Sequence, residues 1–96
     1  MALTIIWTKE AEEGYDDIIN YLVTKFTKKE VRNFVKEVDD FLQLLSQNQK
    51  LLQKTTKYKN LHRGPINKLT MLTYQVKPRK KELVLISIRS TRKKPL

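Results

Sequence analysis

Thr70-Met71-Leu72-Thr73-Tyr74-Gln75-Val76-Lys77, then Pro78-Arg79-Lys80-Lys81, then Leu83-Val84-Leu85-Ile86-Ser87-Ile88 is the stretch that decides the fold class. The first segment alternates. Leu72, Tyr74 and Val76 share one face of an extended chain, and Met71, Thr73, Gln75 and Lys77 share the other. Proline and three cations then make a hairpin turn. The last segment is apolar on both faces, as a central strand with neighbours on each side would be. Strict alternation groups Val84, Ile86 and Ile88 with Leu72, Tyr74 and Val76. It leaves Leu85, Ser87 and Arg89 on the opposite face.

Towards the N-terminus the period changes from 2 to 3.6. Val31, Phe34, Val35, Val38, Phe41, Leu42 and Leu45 form one apolar stripe, which predicts a helix. Thr27-Lys28-Lys29-Glu30 before it has the capping-box spacing. A second stripe, Ala11, Tyr15, Ile18, Ile19, Leu22 and Phe26, predicts an earlier helix running to about Thr24. Thr8 is its expected N-cap, and Glu10, Glu12 and Glu13 place negative charge where the helix dipole favours it. Gly14 lies inside this stripe and weakens the helix in isolation. So few residues separate the two stripes that the helices should form an antiparallel hairpin. Leu3 to Trp7 reads as a first strand, rich in β-branched and aromatic residues. Tyr58 to Ile66 is a weaker strand, and Gly64-Pro65 within it implies a bulge or an edge position. The expected order is β-α-α-β-β-β. This is an α+β fold, a helical hairpin packed on one face of a small, mainly antiparallel sheet.

A chain of 96 residues has room for one domain, taken as 1–96, with one core. Cysteine is absent, which removes disulfides, thiolate nucleophiles and Cys-ligated zinc. The N-terminal residues carry none of the marks of a signal peptide, and no apolar run is long enough to span a bilayer. The expected location is the cytoplasm, away from membranes. Charge is segregated: the net charge of +10 divides into −3 over residues 1–48 and +13 over residues 49–96, where Glu82 is the one acid. Such a division points to an anionic partner for the second half.

Arg63, Lys68, Arg89, Arg92, Lys93 and Lys94 are the expected target-contacting cations, ringing the sheet face opposite the helices. Catalytic constellations are sparse. His62 is the single histidine, and a lone His in a basic strand is more often a surface side chain than a catalyst. There is no paired-carboxylate site, no metal-ligand cluster and no Gly-rich phosphate loop, so no metal and no cofactor is expected.

Four fragments resemble the RelE/ParE superfamily of toxins. Trp7-Thr8-Lys9-Glu10-Ala11 is similar to the family's Trp–Ser/Thr–x–x–Ala junction between first strand and first helix. Ile18-Ile19-Asn20-Tyr21-Leu22 resembles its Ile–x–x–Tyr stretch. Leu72-Thr73-Tyr74-Gln75-Val76 resembles its Tyr-centred strand, and Thr91-Arg92-Lys93-Lys94-Pro95 the Thr–Arg–x–x–Pro ending of one branch. The resemblance implies the growth-inhibiting half of a bacterial type II toxin–antitoxin pair, neutralised by an acidic antitoxin protein. It implies either of two targets. ParE-like members poison DNA gyrase; RelE-like members are ribosome-dependent endoribonucleases acting on mRNA. Fold does not choose between them.

For the ribonuclease, the resemblance makes Lys57, Lys59 and Arg92, with His62, the catalytic candidates. Two departures favour the gyrase branch. Met71 stands where ribonuclease relatives often carry Arg, and no Tyr or His follows Arg92 to serve as general acid.

Overall fold

The computed structural model describes residues 2–48 and 60–91. Its elements run β1 (Thr4–Trp7), α1 (Lys9–Lys25), α2 (Lys28–Gln47), β2 (Leu61–Pro65), β3 (Thr70–Lys77) and β4 (Glu82–Ser90), in the expected order. The sheet order is β1-β4-β3-β2. β4 is central, parallel to β1 and antiparallel to β3, while β2 takes the edge that its proline requires.

Thr8 joins β1 to α1 and both to β4. Its backbone is extended, and its hydroxyl oxygen accepts from the Ala11 amide at 3.1 Å, as an N-cap does. The same hydroxyl lies 2.7 Å from the Leu85 carbonyl oxygen and 3.1 Å from that of Ile86, and donates between them. Thr8→Val keeps the volume and removes all three contacts. Loss of a cap costs about 1 kcal/mol; the Leu85 carbonyl keeps the Thr8 amide at 3.3 Å, and the partly buried Ile86 carbonyl left without the hydroxyl adds about 1 kcal/mol. The expected loss of stability is therefore about 2 kcal/mol, read as a lower urea midpoint at unchanged m-value.

β1 is short and covers β4 only from Glu82 to Leu85. Beyond that point α1 runs beside β4 in its place. The approach is so close that a Cβ on Gly14 would stand 1.8 Å from the Ile88 carbonyl oxygen. Glycine here is the residue that lets the helix reach the strand.

Only Phe26 and Thr27 separate α1 from α2, so α2 returns along α1. Tyr15 stacks on Phe34 at 5.9 Å and meets Trp7 edge-on at 5.3 Å. Burial, with Asp39 and Asp16 nearby, raises the Tyr15 phenol above its ordinary pKa. At the start of α2 the Glu30 carboxylate accepts from the Thr27 amide at 3.1 Å and from its hydroxyl at 2.6 Å. These two bonds hold the Glu30 carboxyl below its usual pKa. At the other end of α2 the Leu3 amide donates to the Ser46 carbonyl at 2.9 Å, tying the helix to the start of the sheet.

The core gathers Ala11, Ile18 and Leu22 of α1, Phe34, Val38, Leu42 and Leu45 of α2, and Leu72, Tyr74, Leu83, Leu85 and Ile88 of the sheet. Two stripe members depart from expectation. Phe26 is a helix C-cap rather than a stripe residue and, like Val35, stays exposed. The larger departure is in β4. Thr73 pairs with Ser87 but Tyr74 pairs with Leu85, so Ile86 is an extra residue in a β-bulge. Before the bulge, Leu83 and Leu85 face the helices; after it, Ile88 does. The alternation that grouped Val84 and Ile86 with the core is thus shifted by one residue. Ser87 and Arg89 keep their expected face, with Thr73 and Met71; Leu85 does not.

Candidate functional site

On the sheet face away from the helices, two cross-strand rows lie side by side. Arg63, Thr73 and Ser87 form one; Pro65, Met71 and Arg89 form the next. Strand pairing sets this geometry, because residues paired across a ladder stand about 5 Å apart on the same face. Together with Glu10 from the first turn of α1, five of these six line a cleft of about 260 Å³: Arg63, Met71, Thr73, Ser87 and Arg89. The Glu10 carboxylate is 3.8 Å from the Arg89 guanidinium, with both side chains mostly exposed. An ion pair so open to water holds its partners only weakly.

Two guanidiniums and two hydroxyls facing one cleft suit an anionic group, phosphate or carboxylate. They do not supply acid–base chemistry. Arginine stays protonated in proteins, and a Ser or Thr hydroxyl is too weak an acid to give up a proton unaided. Glu10 could accept a proton, but among the described residues lining the cleft nothing could donate one to a leaving oxygen.

The other sequence candidates are placed as follows. His62 is 7% exposed and stacks on Tyr74 at 4.9 Å with an interplanar angle of 5°. It pairs with Tyr74 and so lies on the helix side of the sheet, turned from the arginines. The expectation of a surface histidine is corrected: period 2 puts it opposite Arg63, and the helices cover that side. Lys68 is exposed in the β2–β3 turn, where its carbonyl accepts from the Thr91 hydroxyl. It borders a different cleft, with Leu22, Phe26, Phe34 and Glu37, and is not brought to Arg63 and Arg89. Lys57, Lys59, Arg92, Lys93 and Lys94 lie outside the described residues. Glu10 is the site residue that sequence reasoning missed as a member of the cleft. The parallel β1–β4 pairing that carries it beside Arg89 leaves no local mark in the sequence.

A larger cleft, of about 630 Å³, lies between α1 and β4. Glu10, Glu13 and Asp17 outnumber Lys25 and Arg89 along it, whereas Arg63 and Arg89 outnumber Glu10 in the smaller cleft, which is the better anion site. Among the described residues no three His, Asp or Glu side chains come together as a metal site. No helix among them is long and apolar enough to cross a membrane.

No curated protein matches the chain by sequence. Solved structures do match in fold. The chromosomal ParDE toxin–antitoxin system of P. aeruginosa superimposes with a TM-score of 0.74 at 15% identity, over 93% of this chain and 96% of that one. A metal-bound toxin from Helicobacter pylori gives 0.67 at 18% identity, over 93% and 94%. The intact RelBE toxin–antitoxin complex of E. coli gives 0.61 at 14% identity, over 96% and 100%. The family described as the ParE toxin of the type II toxin–antitoxin system parDE matches residues 5–95. Matched over nearly all of its length, and folded as ParDE and RelBE toxins are, the chain belongs to the ParE toxins of type II toxin–antitoxin systems, within the RelE/ParE superfamily.

Proposed function

We propose that this toxin stops growth as a ParE-like inhibitor of DNA gyrase, engaging its target through Arg63 and Arg89 and cutting no RNA. In the cytoplasm a cognate acidic antitoxin holds it inactive. The carrying observation is the composition of the arginine cleft. It can bind an anion, yet among its described residues it has no group to protonate a leaving oxygen. The ParE family match supports the same branch. One observation favours the alternative, a RelE-like ribosome-dependent mRNA endoribonuclease. The same guanidiniums and hydroxyls would also stabilise the charge of a phosphorane.

Induction of the chain without its antitoxin, followed by short pulses of labelled amino acid and thymidine, separates the two. DNA synthesis is expected to fail first while translation continues. Early collapse of protein synthesis with cleaved transcripts would sink the gyrase reading. The double variant Arg63→Ala/Arg89→Ala should lose growth arrest and keep the wild-type unfolding midpoint, since both side chains are exposed.

A further inference from the structure

The end of the sheet opposite the arginine cleft carries a second group of cations that the proposed function does not use. Lys77, Arg79, Lys80 and Lys81 fall within five positions of the β3–β4 turn. Arg79, Lys80 and Lys81 are all exposed. Arg79 and Lys80 take part in neither the Lys36–Asp40 nor the Glu10–Arg89 ion pair.

Backbone conformation adds an independent observation. Lys81 has φ 56°, the left-handed region that glycine or asparagine occupies at lower cost. A lysine is held there by its neighbours: its amide donates to the Pro78 carbonyl at 3.2 Å, and its own carbonyl accepts from the Thr4 amide at 2.9 Å. The turn is thus anchored to β1 as well as to its own strands, with a lysine at a position where any Cβ is disfavoured. Strain kept in place this way is a pointer to use.

We propose that this turn is a docking prong for the phosphodiester backbone of duplex nucleic acid. The alternative occupant, an acidic protein segment, needs apolar anchors to bind with useful affinity. The turn offers only Pro78 among its cations. The large exposed hydrophobics of the described residues, Val23, Phe26, Val35 and Leu44, are all on the helical layer instead. Phosphate contacts need no apolar burial, because their free energy comes from releasing condensed counterions. The turn and Arg89 stand at opposite ends of β4, about 26 Å apart at strand rise. That distance is roughly seven or eight base pairs of duplex. A duplex laid along the sheet would meet both cation groups. The prong contacts backbone and carries no sequence preference.

The test is fluorescence anisotropy of a labelled 24-base-pair duplex of arbitrary sequence, titrated with the purified full chain at several salt concentrations. For Arg79→Gln/Lys80→Gln the slope of log affinity against log salt should flatten by about 1.8. Affinity at 0.1 M salt should fall roughly 60-fold, that slope change carried over one decade of salt. Lys81→Gly separates binding from folding: its melting temperature should rise while its salt slope flattens by about 0.9. An unchanged slope in the double variant, or no duplex binding by the wild type, overturns the prong. Displacement of the duplex by poly-glutamate at equal charge concentration overturns it in favour of an acidic peptide. Binding is measured on the purified chain, so failure of the gyrase reading in cells would leave this result standing.

Discussion

Gly14→Ala is expected to destabilise the protein by about 3 kcal/mol, although alanine is the better helix former by about 1 kcal/mol. The sign follows from the magnitudes. The new Cβ would lie 1.8 Å from the Ile88 carbonyl oxygen, which is backbone in a central strand and cannot swing aside. A carbon and a carbonyl oxygen sit comfortably at about 3.3 Å or more, so α1 would have to retreat by roughly 1.5 Å. That movement would pull Ala11, Ile18 and Leu22 away from the sheet they pack on and open space that close-packed neighbours cannot refill. A chain of this size is held by only about 5–15 kcal/mol, so a large part of its stability would go. Urea unfolding followed by Trp7 fluorescence checks it, with Asp16→Ala on the exposed face of α1 as a near-neutral control. A Gly14→Ala protein as stable as the wild type would show that the helix does not approach the strand this closely.

Leu85→Ala should cost about 3–4 kcal/mol, and clearly more than Ile86→Ala. Leu85 is fully buried opposite Tyr74, facing both helices. Ile86 is the bulged residue, half-buried, whereas Val84, paired with Gln75, is buried like Leu85 and does not discriminate. Truncating Leu85 would leave a cavity lined by Tyr74 and helix side chains; truncating Ile86 removes atoms that already touch water. An unbroken strand predicts the reverse ranking, because alternation would bury Ile86 and turn Leu85 outward. The order of the two midpoints in one denaturation series therefore tests the bulge itself. Equal m-values would keep the comparison on stability rather than on a changed unfolded state.

The local elements were legible in the sequence, since periodicity and capping act over a few residues. The 3.6-residue stripes of α1 and α2, Thr8 and Thr27 as N-caps and the turn at Pro78 could all be read there, and the edge placement of β2 as one of two alternatives. So could the company of Met71, Thr73, Ser87 and Arg89 on one face. What escaped reading was everything set by contacts between distant segments. Thr8 bonds to Leu85 and Ile86, across 77 and 78 positions of chain. The bulge at Ile86 and the seating of Gly14 against Ile88 depend in the same way on β1 giving way to α1 beside β4. His62 could be paired to a face by alternation, but which face the helices cover is a property of packing. Glu10 likewise reads as a first-turn acid favoured by the helix dipole. Only the parallel β1–β4 pairing brings it to Arg89. By itself the sequence determined which segments are helix and strand and where the charge lies, because these are encoded in near neighbours. Tertiary structure alone decided which side chains share the arginine cleft, because a single bulge reverses every facing on one side of it.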